Sequence, residues 1–350
     1  MNIVNFNQFG CDRSVEFPQP PQSVPLWTEH YMFFGFDPQE GIGFFLHIGR
    51  EQFDKSMWRI NVMVYLPHEE LLVAKYRGRD GHARGPGAGP VRISCVEPFR
   101  HWTVEFDGAA QAVSRAANNR EVLRDGPAEP LRFHVSLEGA APFWDYRALR
   151  SNIMEKQSWG SQHYEQICRF IGDISYRGRT VQLQGSGIRD HSPGPRDYAP
   201  VISDFWINGL FPDGKAFNAS LVRSESHGSE IRYAYFVEAT GKPIELVEQI
   251  SGPALNTLDT PAASVPSDIM SEGLRTFKVV LRTPKGLETI DGEILHSVAT
   301  TYVSPSEELI GTDFTRPQAL QLLTCPARFR RGDAVGYGIR ERIARIQTLR

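Results

Sequence analysis

The sequence predicts an all-β protein, built either as a barrel or as a sandwich. Apolar and polar residues alternate along most of the chain, as they do in half-buried strands. Glycine, proline and aspartate turn signals separate the alternating segments at spacings of roughly 8 to 15 residues. Both halves of the chain carry a similar load of such segments, and no strand–helix–strand alternation interrupts them. These observations favour antiparallel sheets with few short helices.

The clearest strand is predicted at residues 57–66, where every second side chain is apolar. One face of this strand carries Trp58, Ile60, Val62, Val64 and Leu66. A hairpin is predicted from residues 201–210 and 216–222, because a proline–aspartate–glycine turn joins two alternating segments. A short helix is predicted within residues 109–123, and apolar residues at helical spacing predict another helix over residues 142–159.

Composition and charge exclude several classes of function. The 350 residues include 38 Lys and Arg against 41 Asp and Glu, and the basic residues are scattered, so no nucleic-acid partner is predicted. No window approaches about 18 uninterrupted apolar residues, which predicts no transmembrane segment, and the first residues lack the pattern of a signal peptide. Aromatic residues make up 11% of the chain, enough to line a cavity for a hydrophobic small molecule.

Cysteine and histidine spacing predicts neither disulfides nor a metal centre. The four cysteines lie far apart and form no Cys-x-x-Cys pair, which is typical of reduced cysteines in a cytoplasmic protein. None of the ten histidines forms a His-x-x-x-His or His-Glu-x-x-His pair. The sequence therefore predicts a cytoplasmic protein without metal or cofactor, and it leaves the oligomeric state open.

Residues 185–198 differ in composition from the rest of the chain. This run contains three glycines, two prolines, and the side chains of Arg189, Asp190, His191, Arg196 and Asp197. Such a composition predicts a backbone that is neither regular strand nor helix. Two interpretations remain open: a functional site, or a polar hairpin whose arginines and aspartates pair with one another. We place the boundary between two domains, residues 1–185 and 186–350, beside this run.

Several motifs resemble those of one known family. They are His163-Tyr-Glu-Gln166, residues 187–197 of the charged run, Trp27 with Glu29 and Tyr31, and residues 96–102. Through them nearly the whole chain is similar to the carotenoid hydratase (hydroxyneurosporene synthase)-like and AttH-like family. The resemblance implies two lipocalin-like β-barrels. It also implies chemistry such as acid-catalysed addition of water to a terminal isoprenoid double bond, or cyclisation of a terpenoid or polyketide chain. In that family a tryptophan often follows the Asp-His pair by two positions, where this chain has Pro193.

The resemblance and the charged run together predict a cofactor-independent enzyme, a hydratase, isomerase or cyclase acting on a hydrophobic, isoprenoid-like molecule. The predicted catalytic residues are Asp190, His191 and Asp197. An aspartic acid that donates a proton near neutral pH needs its pKa raised by about 3 units, and Arg189 and Arg196 would oppose that rise. His191, with an ordinary pKa of roughly 6.5, is the alternative donor. If the run were a strand, Asp190 and His191 would face opposite sides.

Five further residues are predicted to contact the substrate: Trp206, Tyr198, Arg196, Glu165 and Trp102. The rings of Trp206 and Tyr198 could stabilise a carbocation through their π faces. Core packing explains Trp206 equally well, and an ion pair with one of the arginines explains Glu165 better than catalysis does. The alternative function is a non-catalytic, lipocalin-like carrier for an apolar ligand, because one fold hosts many functions.

Overall fold

The chain folds into two compact units, each built around a large antiparallel sheet. The computed structural model describes residues 5–146, 162–224, 229–247, 249–251 and 275–349. The first unit contains Met1–Val113, Asp125–Asp197 and Gly241–Pro243, and the second contains Ser114–Arg124, Tyr198–Thr240 and Ile244–Arg350. The predicted all-β class, with two lipocalin-like barrels and few short helices, is confirmed. The predicted boundary after residue 185 falls inside a strand of the first unit.

The first sheet is closed into a barrel. Its strands are β1 Trp27–Asp37, β2 Ile42–Arg50, β3 Trp58–Leu66, β4 Glu70–Gly78, β5 Gly87–Ala88, β6 Val91–Glu97, β7 His101–Ser114, β8 Ala128–Gly139, β9 Trp144–Asp145, β10 Tyr164–Tyr176 and β11 Arg179–Pro195. The spatial order is β4-β3-β2-β1-β11-β10-β8-β7-β6-β5, with β9 paired to β10. An additional pairing between β4 and β7 closes the path. A short 3-10 helix, Arg13–Glu16, precedes β1.

Alternating apolar side chains fill the interior of this barrel. The predicted strand at residues 57–66 is confirmed as β3, and its five apolar residues all lie in the core. Phe33, Phe44, Phe106, Phe133 and Phe170 pack in the same cluster. Because strand side chains alternate, the residues between these core positions point to the opposite face of the sheet.

The prediction that the charged run avoids regular strand is wrong. Residues 185–195 of the run belong to β11, which pairs with β1 on one side and with β10 on the other, whereas residues 196–198 lie beyond the strand. The glycines serve this pairing, because an added Cβ at Gly185 or Gly187 would lie 2.1 Å from a carbonyl oxygen of β1. The prolines, Pro193 and Pro195, lie among the last three residues of the strand. The pairing of β11 places a charged side chain such as Arg189 beside its buried hydrogen-bond partners.

Gly187→Ala is therefore expected to destabilise the protein by about 1–3 kcal/mol, the usual cost of forcing extra volume into a packed site. The new methyl group would collide with the carbonyl oxygen of Phe34, which is held by strand pairing. Urea unfolding monitored by tryptophan fluorescence measures the change. Ser186→Ala, at the neighbouring position, is the control and is expected to cost less than about 1 kcal/mol. Equal losses in the two variants would contradict this interpretation.

The second sheet has its own strands and core. Its strands are β12 Val201–Leu210, β13 Ala216–Ser224, β14 Ser229–Val237, β15 Ile244–Leu246, β16 Gln249–Ser251, β17 Thr276–Thr283, β18 Gly286–Ile294, β19 Val298–Ser304, β20 Glu307–Ile310, β21 Leu320–Arg331 and β22 Ala334–Arg345. The order is β15-β14-β13-β12-β22-β21-β18-β17-β16, with β19 joining β20 to β21. The predicted hairpin is confirmed as β12 and β13. Phe205, Ile207, Phe217, Phe277 and Phe329 lie in the core.

The predicted short helix is confirmed, and its place in the fold was not foreseen. Helix α1, Arg115–Arg120, lies in the second unit, where the Asn118 side chain accepts a hydrogen bond from the backbone N–H of Ala299 (2.6 Å). The helix predicted at residues 142–159 is wrong where it can be compared, because Trp144–Asp145 form β9. Its remainder, residues 147–159, lies outside the described residues. Among the described residues, no helix has the length and apolar character needed to cross a membrane.

Candidate functional site

Successive side chains of β11 point to opposite faces of the first sheet. The pairing of β11 with β1 and β10 keeps one continuous register through the charged run. Arg189 and His191 therefore point into the barrel, whereas Asp190 and Ser192 point to the opposite face. The two predicted catalytic residues Asp190 and His191 consequently do not meet in one site.

His191 belongs to a buried polar network inside the barrel. Its ring stacks on Tyr31, with centroids 3.8 Å apart. Its Nδ1 is hydrogen-bonded to the Tyr164 hydroxyl and lies 2.9 Å from the carbonyl oxygen of Val15. Its Nε2 lies 2.8 Å from Oε1 of Glu29. Both ring nitrogens thus have protein partners, which fixes the imidazole in place.

Glu29 is the centre of this network. Its carboxylate accepts hydrogen bonds from Nε of Arg50 (2.7 Å), the backbone N–H of Gln19 (2.7 Å) and the Tyr31 hydroxyl (3.3 Å). Burial alone would raise the pKa of Glu29, but the hydrogen bonds and charges of His191 and Arg50 outweigh burial and hold that pKa below its usual value. The carboxylate is therefore ionised and fully committed to protein groups.

Arg189 is held in a second network inside the same barrel. Its guanidinium donates to both carboxylate oxygens of Glu16 (2.8 and 3.0 Å) and to the side-chain oxygen of Gln166 (2.8 Å). Trp102, predicted to contact substrate, lies fully buried in the core with Arg189 5.2 Å from its ring centroid. Its Nε1 donates to Glu16 (2.9 Å). Because Glu16 precedes β1, the network ties the N-terminal segment to the barrel.

The opposite face of β11 carries a separate group of polar side chains. Asp190 is half-buried and lies directly opposite Met32 on β1 and Glu165 on β10. Facing residues of an antiparallel pair have Cβ atoms about 4.5–5.5 Å apart, so the structure brings together two of the predicted residues, Asp190 and Glu165. Burial raises the pKa of Asp190, although the charges of His47 and Arg196 oppose that rise.

Three histidines lie on this same face. Nδ1 of His30 is 3.1 Å from Nε2 of His47, and the two rings are stacked. Nε2 of His163 is 3.9 Å from a carboxylate oxygen of Glu165. Burial, reinforced by the charge of Arg196, lowers the pKa of His30 well below its ordinary value and the pKa of His163 to about 3. An environment that keeps imidazoles neutral also favours the protonated form of a nearby carboxyl.

The last three residues of the charged run, residues 196–198, do not share one environment. Arg196 is buried, and its backbone N–H donates to the carbonyl oxygen of Leu26 (3.0 Å). Asp197 is half-buried and is the last residue of the segment Asp125–Asp197 of the first unit. Tyr198 belongs to the second unit, where its ring stacks on Tyr302 with centroids 5.4 Å apart. Of these three residues, Arg196 is the one whose charge is identified as acting on the pKa of Asp190, which it lowers.

β12 of the second unit carries a carboxyl that sequence reasoning did not select. Phe205 and Ile207 point into the core, so Asp204 and Trp206 point to the other face. Asp204 is half-buried, and its Oδ1 has no hydrogen-bond partner among the described residues. Burial raises the pKa of Asp204 to about 7, opposed only by a hydrogen bond from the Phe205 backbone. Close to half of these carboxyls therefore hold a proton at neutral pH.

Two asparagines lie beside this carboxyl on the same face. Asn208 and Asn218 face each other in the β12–β13 register and are 1% and 0% exposed. Nδ2 of Asn208 and both amide atoms of Asn218 have no hydrogen-bond partner within the part of the chain that the structure describes. A buried polar group left in this state costs about 1–3 kcal/mol. These amides are thus suited to hydrogen-bond a bound molecule or water. We call Asp204, Trp206, Asn208 and Asn218 the Asp204 face.

One signal in the sequence pointed to Asp204. It is the only acidic or basic residue in the sequence of residues 201–210, and it stands two positions before Trp206, which we did select. A carboxyl on the same strand face as a tryptophan is a candidate acid whenever that face is buried. Alternation alone does not reveal whether the face is buried, and this is why the residue was missed.

Comparison with known protein families gives one result. The family profile described as "Domain of unknown function (DUF7064)" matches residues 12–252, more than half of the chain. The chain belongs to the DUF7064 family. No curated protein matches the sequence of this family member.

Solved structures share the fold of this DUF7064 chain. A protein assigned as AttH from Nitrosomonas europaea aligns with a TM-score of 0.50 and 15% identity, over 93% of this chain and 97% of that one. CghA with Sch210972 aligns with a TM-score of 0.51 and 9% identity, over 92% and 89%. Kievitone hydratase from Nectria haematococca gives 0.47 and 10%, over 91% and 88%. The resemblance to AttH-like proteins is thus confirmed at the level of the fold, and identities this low carry nothing further.

Proposed function

We propose that this protein is a cofactor-independent acid catalyst, a hydratase, isomerase or cyclase, that acts on a hydrophobic small molecule. The observation that carries the proposal is the Asp204 carboxyl, whose pKa burial raises to about 7. Adding a proton to a carbon–carbon double bond requires a general acid that is still protonated near neutral pH. Asp204 meets that requirement, because the pKa of a general acid works best near the operating pH.

Asp204 fits this role better than the residues selected from the sequence. Among the described residues, no cation lowers the pKa of Asp204, whereas His47 and Arg196 act against the raised pKa of Asp190. His191 is committed to Glu29 and Tyr164 inside the barrel. Asp190 remains the second candidate for the proton donor.

The same strand face supplies a group that suits a cationic intermediate. The ring of Trp206 lies on the same side of β12 as Asp204. Among aromatic side chains, tryptophan has the π face that best stabilises a neighbouring cation. The buried amides of Asn208 and Asn218 favour a substrate that also carries a hydroxyl or carbonyl group. An isoprenoid alcohol has both an alkene and such a group, so it is the substrate class we propose.

Incubation with farnesol in deuterated water tests the proposal. We expect the wild-type protein to place deuterium on carbon in the product, and Asp204→Asn to reduce that rate by at least about 100-fold, as removal of a general acid does. The wild-type rate should fall as pH rises through about 7, because the deprotonated carboxyl has no proton to donate. Squalene, which has alkenes and no polar group, should react more slowly than farnesol.

Asp213→Asn is the matched control, because Asp213 lies in the turn between β12 and β13 and is exposed. Asp190→Asn decides between the two carboxyls. Loss of activity in that variant alone would keep acid catalysis and move the proton donor to Asp190. Binding of farnesol by the wild-type protein without any deuterium in product would reject catalysis in favour of the carrier function.

A further inference from the structure

The interior of the second unit contains an arginine, Arg340, that has no ion-pair partner among the described residues. Arg340 on β22 lies opposite Ile207 and Cys325 in the strand register. Its guanidinium carbon is 5.1 Å from the ring centroid of Phe205 and 5.3 Å from that of Phe277. The side chain is 3% exposed, and its Nε and one terminal nitrogen have no hydrogen-bond partner among the described residues.

Within the part of the chain that the structure describes, the groups around Arg340 supply no negative charge. Burial raises the pKa of the Cys325 thiol to about 12, so this neighbour is neutral. Glu341 follows Arg340 on β22 and therefore points to the other face of the sheet. Arg342 is also buried and shares the interior face of β22, where it donates to the side-chain oxygen of Gln321 (2.9 Å). This interior therefore holds two buried arginines, and no carboxylate of the described residues forms an ion pair with Arg340.

Arg340 itself keeps its charge at neutral pH. Burial lowers its pKa to about 10, which still lies well above 7. A buried cation without a paired anion is unfavourable, and such groups are normally paired or neutralised. Contact with two aromatic rings compensates for only part of the lost hydration. An anion that enters with a ligand would supply the missing partner.

We propose that the second barrel binds the carboxylate of an apolar ligand, with the Arg340 guanidinium as its anchor. A carboxylate matches the planar fork of N–H donors on arginine. The surrounding Phe205, Phe217, Phe277 and Ile207 side chains fit a hydrocarbon portion. This ligand site is separate from the Asp204 face, because the two sets of residues lie on opposite faces of the same sheet.

Titration of the full-length protein with decanoate, followed by calorimetry and by thermal unfolding, tests this site. Wild-type protein should bind decanoate and melt at a higher temperature in its presence. Arg340→Met should bind decanoate at least about tenfold more weakly, and its own melting temperature without ligand should equal or exceed that of wild type, because no unpaired charge is buried. Decan-1-ol, which has the same chain without the charge, should not distinguish the two proteins.

Arg330→Met is the matched control, because Arg330 is an exposed arginine on the neighbouring strand β21. Asp204→Asn should bind decanoate as wild type does, which separates this site from the proposed function. Equal decanoate affinity in wild type and Arg340→Met, or no binding by wild type, would overturn the site. If acetate stabilised the protein as much as decanoate does, the proposal that the ligand has an apolar portion would be wrong.

Discussion

Asp204→Asn is expected to stabilise the protein at pH 8 by up to about 4 kcal/mol, and to change its stability little at pH 4. The carboxyl has a pKa of about 7 in the folded protein and an ordinary value of 3.8. Between those values the unfolded chain has released its proton and the folded chain still holds it. The free energy of unfolding therefore falls as pH rises, by about 1.36 kcal/mol per unit over roughly three units. Partial exposure of Asp204 to solvent makes this an upper value.

The measurement is urea unfolding of wild type and Asp204→Asn at pH 4, 6 and 8. Asparagine has nearly the same shape and no charge at any of these values, so the stability difference between the two proteins should grow with pH and level off above about 7. Asp213→Asn should show no such growth. A difference that stays constant from pH 4 to 8 would mean that Asp204 titrates normally, and the proposed general acid would lose its basis.

Glu16→Ala is expected to destabilise the protein by about 3–5 kcal/mol, the usual cost of removing one partner from a buried ion pair. Arg189, 1% exposed, would keep its charge in the barrel without a carboxylate. The backbone N–H of Phe99 and Nε1 of Trp102 would also lose their acceptor. Urea unfolding at pH 7 measures the loss.

Two further variants test whether the loss of stability comes from breaking the buried ion pair. Glu97→Ala removes an exposed partner of Arg100, 3.7 Å away, and should cost less than about 1 kcal/mol. The double variant Glu16→Leu with Arg189→Met removes both buried charges and should recover much of the stability lost in Glu16→Ala. A Glu16→Ala loss no larger than that of Glu97→Ala would show that the N-terminal segment contributes little to the barrel.

The local sequence pattern was sufficient to predict those strands in which apolar and polar side chains simply alternate. β3 and the β12–β13 hairpin were predicted because one face of each is apolar and turn residues end them. The same reasoning failed for β11. Its glycines and charged residues look like a loop in isolation, and they become a strand only because β1, β10 and the N-terminal segment supply close backbone contacts and buried partners.

The candidate site, too, could be predicted only in part from the sequence. Strand alternation already implied that Asp190 and His191 face opposite sides, and the structure has them so. Their separate environments could not be foreseen, since the partners of His191 come from residues 15, 29, 31 and 164. The burial of Asp204 and of Arg340 likewise depends on how the sheets fold, and the sequence pattern alone does not reveal it.

The amino-acid sequence by itself determined the all-β class and the shortage of helices, because these follow from side-chain periodicity and turn residues that act over a few positions, and its resemblance to a known family implied the two barrels. Tertiary structure alone decided which charges are paired, which are left without a partner, and which carboxyl holds its proton near pH 7. Burial, hydrogen-bond partners and neighbouring charges come from residues far apart in the chain, and they set the pKa of Asp190 and of Asp204.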